Sequence, residues 1–171
     1  MDANSLRDLQ APLKQKYREA PEAALVTLKA EGNLGEGVAC SVQTGRALVE
    51  AGLHPATGGD GMLACSGDML LEALVACAGV TMKAVATAIE FDITSGVVRA
   101  EGTLDFRGTL AVDKEAPVGF TEIRLHFGLD TSAPDELLAK LVELTERYCV
   151  VYQTLKGGVP LRVSHERLDA R

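Results

Sequence analysis

Residues 68–90, DMLLEALVACAGVTMKAVATAIE, constrain this chain more than any other segment. Over these 23 positions only Asp68, Glu72, Lys83 and Glu90 are charged, and Met, Leu, Ala and Val surround every side. The length predicts a helix, and a helix apolar all round belongs inside a core rather than on a surface. Asp68 falls in its first turn, where a negative charge offsets the macrodipole. A chain of 171 residues, the size of one domain, has little material to cover such a helix completely. Burial against a second copy is the simplest remedy, so a homodimer is expected.

The flanking segments read as partial cover. Residues 4–19 carry Leu6, Leu9, Leu13 and Tyr17 at helical spacing, an amphipathic helix that Pro12 can bend. Residues 24–32 (ALVTLKAEG) and 37–45 (GVACSVQTG) alternate as strands do, and NLGEG between them supplies turn residues. A third short strand is expected at 46–50 (RALVE). Residues 51–67, rich in Gly, Pro, Thr and Asp, form a loop of about 17 residues, long enough to carry function.

After the apolar helix, 96–108 and 119–129 alternate as strands joined by the polar stretch DKEAPVG. The second of them carries Phe120, Ile123, Leu125, Phe127 and Leu129. Residues 133–149 predict a helix, with Pro134 near its start and Leu137, Leu138, Leu141 and Leu144 as its stripe. Gly157 and Gly158 stop the helical turns that follow, and 159–165 (VPLRVSH) reads as a closing strand. This order is α+β: antiparallel sheets around a buried central helix, in one domain over 1–171 with an N-terminal helix ahead of its core.

Composition narrows the partners. Hydrophobic residues make up 47% but aromatics only 4%, without Trp, so Ala, Val and Leu must build the core. A net charge of −7 and 17 scattered Lys and Arg argue against nucleic acid or an anionic membrane as partner. MDANSLRDLQ at the N-terminus lacks the pattern of a secretory signal. The longest uncharged apolar run, Ala73–Met82, falls short of the roughly 20 residues that span a bilayer. A cytoplasmic protein is expected. Thiols there are held reduced, so cysteines are more often buried, metal-binding or catalytic than structurally bridged.

The chain has four cysteines, Cys40, Cys65, Cys77 and Cys149, with no C-x-x-C spacing, and three isolated histidines, His54, His126 and His165. Structural zinc sites announce themselves by closely spaced ligand pairs, so neither metal nor cofactor is expected. Cys40 reads as a small buried hydrophobe in a strand. Cys65 lies in the loop as a free thiol. Cys77 shares its helix face with Ala73, Leu74, Val80 and Thr81. Cys149 stands at the end of the later helix, close after Arg147. On residue pattern alone both read as core thiols.

Two segments alter that balance. GGDGMLACSGDMLLEALVACAGVTM (58–82) resembles the loop and helix of the OsmC/Ohr family of osmotically inducible and organic hydroperoxide resistance proteins. RYCVVYQTLKGGVPLRV (147–163) is similar to that family's second signature: a Cys, a short helix, a Gly turn and a final strand. The resemblance covers roughly 24–165. It implies an OsmC-like fold and an intertwined homodimer. It also implies that Cys77 and Cys149, 72 positions apart, face one another. The activity implied is that of a thiol-dependent peroxidase in oxidative-stress defence. Cys77 would attack an organic hydroperoxide, Cys149 would resolve the sulfenic acid as a disulfide, and an external dithiol would reduce it.

The chain also departs from the pattern. Peroxidatic members carry an Arg in the first hairpin and a Glu ten residues before the first Cys; here the turn is NLGEG and that position is Gly67. Val150 stands where a Pro follows the second Cys. Asp68, Glu72 and Arg46 are the candidate substitutes. Glu72 reads as a buried carboxylate, and since a carboxylate alone raises a thiol pKa, it helps only by orienting a cation. Two alternatives therefore stay open: a non-catalytic dimer that binds a small hydrophobic ligand, and a thiol redox sensor.

Overall fold

A computed structural model of the chain describes residues 2–20, 32–34, 40–43 and 48–167. The first helix, α1 (Ala3–Glu19), contains Pro12 and is capped by Asp2, whose carboxylate accepts the Ser5 N–H at 2.8 Å. The strand expected at 24–32 lies outside the described residues except for Gly32, and Arg46 lies outside them too. Three short strands follow: β1 (Gly32–Leu34), β2 (Cys40–Gln43) and β3 (Leu48–Gly52). They pair antiparallel in sequence order, with Leu34 opposite Cys40 and Gln43 opposite Leu48.

The loop after β3 is more ordered than its composition indicates. A single 3-10 turn, Pro55–Thr57, is capped by His54, whose Nδ1 accepts the Ala56 N–H at 3.0 Å. Gly58 then takes a left-handed φ of +94°, open to glycine without strain. Ala64–Cys65 forms β4, parallel to β3, and completes a four-stranded sheet.

The apolar helix, α2, runs from Ser66 to Ala88, about 34 Å at 1.5 Å per residue. It ends in a Schellman turn. Glu90 adopts φ +57°, its N–H donates to the Thr87 carbonyl, and the Phe91 N–H donates to the Ala86 carbonyl at 2.8 Å. Phe91 packs back on Ala86 and turns the chain into the next strand.

That strand, β5 (Ser95–Leu104), pairs antiparallel with β6 (Phe120–Asp130). Gly102 lies beneath the Phe120 ring, which a Cβ at that position would enter. The strand expected to continue to 108 stops at Leu104 because Asp105 caps a one-turn helix, α3 (Phe106–Thr109), accepting the Arg107 N–H at 3.0 Å. Two helices close the described fold: α4 (Asp135–Tyr148) and α5 (Val150–Gly157).

The core is an i,i+4 stripe of α2 pressed on β5, β6, α4 and α5. Leu74 and Ala78 join Cys149 beneath Val98, Ala100, Ile123 and Leu125. Met82 and Ala86 join Leu141 beneath Phe127 and Leu129. Within α2 only Leu74, Ala78, Met82 and Ala86 are buried; Val80 on the other side is 72% exposed. Glu72 is exposed as well, which corrects its reading as a buried carboxylate. Composition called for burial on every side, whereas one protomer has cover for a single stripe.

With a mean hydropathy of 1.7 over its best 18 residues, α2 is long and apolar enough to cross a membrane by those two measures. The uncharged run Ala73–Met82 understated this. Its stripe Leu74, Ala78, Met82 and Ala86 packs against the chain's own sheet and helices.

Among the described residues, the strand expected at 159–165 finds no partner: 158–167 form no helix or strand, and Leu161 and Val163 are 88% and 96% exposed. A strand exists only against a partner edge, and the described part of the protomer offers this segment none.

Candidate functional site

Cys77 lies in the fourth turn of α2, beside the buried Ala78. Cys149 is the single residue between α4 and α5 and serves both helices. Its N–H donates to the Thr145 carbonyl at 2.9 Å, closing α4. Its extended backbone (φ −73°, ψ 109°) then breaks the helix, and its Sγ accepts the Tyr152 N–H at 3.5 Å, capping α5. Leu74, Ala78, Val98 and Tyr152 surround the sulfur, leaving Cys149 only 1% exposed.

Cys77 packs against the cluster that holds Cys149, and the two thiols are shifted in opposite directions. Burial pushes the Cys77 thiol up. The Val151 N–H, the Cys149 thiol, the Thr81 hydroxyl and the Val150 N–H outweigh burial and hold it below the ordinary thiol value. Burial also raises Cys149, and the charge on Cys77 raises it further, against the opposing pull of the Tyr152 N–H. One sulfur is thus the more acidic of the two and the other the less acidic. The device is the start of α5: two backbone N–H groups and the positive end of a helix dipole, aimed at Cys77.

Of the five residues singled out in the sequence, Cys77 and Cys149 come together. Asp68 does not join them: it sits in the first turn of α2, about 14 Å along the axis from Cys77. Instead it borders a separate hollow of about 340 Å³ with Cys65, His54, Phe106 and Phe120. Glu72 faces outward, and Arg46 lies outside the described residues. Neither Asp68 nor Glu72 is a partner of the thiols, because each points from another turn or face of α2.

Sequence reasoning placed Thr81 on the Cys77 face by its i,i+4 spacing but gave it no role. The resemblance implied a short helix after Cys149, but nothing in the sequence signalled that its first N–H groups would reach Cys77.

A cavity of about 520 Å³ lies between β6 and the last two helices. Leu74, Ile123, Leu125, Phe127 and Leu155 line its body, and Glu146, Tyr152 and Lys156 its polar end. Among the described residues no group of three His, Cys, Asp or Glu side chains is placed to hold a metal ion.

An α+β fold with two sulfurs meeting across a long helix and a helix elbow defines a class of small dithiol proteins. A model of the OsmC-like proteins matches residues 59–164, well over half the chain, and the chain belongs to that family. Solved structures agree in fold. An OsmC-like protein from Mycoplasma pneumoniae superimposes with a TM-score of 0.66 at 16% identity, over 78% of this chain and 89% of that one. A Legionella pneumophila protein, described as an organic hydroperoxide resistance protein OsmC and predicted redox protein, gives 0.61 at 18% identity, over 78% and 92%. The organic hydroperoxide resistance protein OhrB of Bacillus subtilis gives 0.53 at 18% identity, over 79% and 94%. No curated protein matches the chain in sequence.

Proposed function

We propose that the chain is a thiol-dependent peroxidase for organic hydroperoxides. The observation that carries this reading is the packing together of Cys77 and Cys149, with the Cys77 thiol shifted below and the Cys149 thiol above its ordinary value. Family membership adds support, since structural relatives include organic hydroperoxide resistance proteins.

In the proposed cycle the Cys77 thiolate attacks the terminal peroxide oxygen. The O–O bond breaks, the alkoxide leaves as alcohol with one proton, and Cys77 becomes a sulfenic acid. The Cys149 sulfur then attacks the Cys77 sulfur; an S–S bond forms, the S–O bond breaks, and the oxygen leaves as water. An external dithiol returns both thiols by exchange. Apolar walls favour hydroperoxides with a hydrocarbon body over hydrogen peroxide. A cycle closed by a dithiol belongs in a reducing compartment such as the cytoplasm.

The active unit in this reading is an intertwined homodimer. Two uncovered apolar surfaces support it: the outer face of α2 around Val80 and the extended segment carrying Leu161 and Val163. Such surfaces mark a missing partner.

The test is consumption of cumene hydroperoxide with a dithiol reductant. Wild type turns over, Cys77→Ser is inactive, and Cys149→Ser stops at a sulfenic acid that dimedone traps. Equal rates for wild type and Cys77→Ser would falsify the enzyme reading. The large cavity beside Tyr152 favours a second reading, a dimer that binds a small hydrophobic molecule without chemistry. That reading predicts unreactive thiols and a hydrophobe released on denaturing extraction.

A further inference from the structure

The elbow at Cys149 needs an external constraint. Helix α5 has only eight residues, too few to hold a helix by itself in water. A single extended residue joins it to α4, so its direction depends on ties that cross the joint. The N–H of Cys149 to Thr145, and the Gln153 N–H to Cys149, each lie on one side of it.

Two side-chain bonds span it, and both end on Glu146. The Tyr152 hydroxyl donates to the Glu146 carboxylate at 2.8 Å, and the Gln153 amide donates to the Glu146 carbonyl at 2.8 Å. Tyr152 is also the residue whose backbone N–H reaches the Cys149 sulfur. Tyr152 and Glu146 are both half-buried, where a hydrogen bond to a carboxylate is stronger than in water. One tyrosine thus ties α4, α5 and the second sulfur together.

We propose that Tyr152 and Glu146 are positioning residues for disulfide closure, a brace that fixes the α4–α5 elbow so that Cys149 meets Cys77. The inference rests on the peroxidase reading. Closure requires the Cys149 sulfur to approach the Cys77 sulfur in line with the breaking S–O bond. Small errors of angle cost rate steeply in such a displacement. The same elbow holds the Val150 and Val151 N–H groups against Cys77, so loosening it also weakens the donors of the first sulfur.

The experiment uses the full-length protein oxidised by one equivalent of cumene hydroperoxide. Mass spectrometry follows sulfenic acid, as its dimedone adduct, and disulfide over time. A parallel iodoacetamide pH profile reports on Cys77. In Tyr152→Phe and Glu146→Ala, closure slows about tenfold, the worth of one charge-assisted hydrogen bond, sulfenic acid accumulates, and the Cys77 profile moves to higher pH. Glu146→Gln keeps an accepting oxygen and recovers most of the rate lost in Glu146→Ala; a side chain that merely filled space would give no such ordering.

Closure at the wild-type rate in both Tyr152→Phe and Glu146→Ala overturns the brace while leaving the peroxidase intact. A wild type that forms neither sulfenic acid nor disulfide overturns both.

Discussion

At the scale of single residues, the proposed chemistry turns on how an apolar helix lowers the pKa of a thiol. Burial by itself would make Cys77 inert. Donors reverse that: two N–H groups of α5, the Cys149 thiol, and Thr81 one turn further along α2. Thr81→Val removes one donor at nearly constant shape, so alkylation of Cys77 at neutral pH should fall about fivefold, the worth of one ordinary hydrogen bond. An unchanged rate would remove Thr81 from the site. The pH dependence has a definite sign. The thiolate is the reactive form, so Cys77, held down, should reach full reactivity at lower pH than Cys149, held up. For stability the two oppose each other. Cys77 gains its contribution as pH rises toward the value of an unfolded thiol, and Cys149 loses its own only above that value.

At the scale of elements, α2 is held through one stripe, and its counterpart on α4 is Leu141, fully buried between Met82 and Ala86. Leu141→Ala should cost about 3 kcal/mol, read as a lower urea midpoint with an unchanged slope. A loss below about 1 kcal/mol would mean that the site collapses around the smaller side chain. The sheet β5–β6 carries its apolar residues as the alternation predicts, with Ile123, Leu125 and Phe127 turned to α2 and α5. The single helix expected at 133–149 ends in a joint instead, and the joint is what brings Cys149 to Cys77. Cys149 completes α4 and starts α5 with its own backbone and sulfur, so neither glycine nor proline was needed to mark the break.

At the scale of the whole molecule, the described chain leaves apolar surface open, which the proposed homodimer would cover. The outer side of α2 around Val80 and the segment with Leu161 and Val163 are such features among the described residues. Sedimentation should return twice the mass of the chain, and Val80→Asp, which puts a charge on the open face of α2, should shift the population to monomer. A wild type that sediments as monomer at micromolar concentration would refute the homodimer. Hydrophobic periodicity alone determined α1, α2, most of α4, the pair β5–β6 and the apolar character of α2, because each is a property of neighbours a few residues apart. The two family signatures pointed to Cys77 and Cys149. Only tertiary structure decided which donors face Cys77, that Asp68 and Glu72 stand apart from it, and that Tyr152 and Glu146 tie the elbow. Those are contacts between residues remote in sequence, fixed by packing and by the direction of helix ends, which no local pattern encodes.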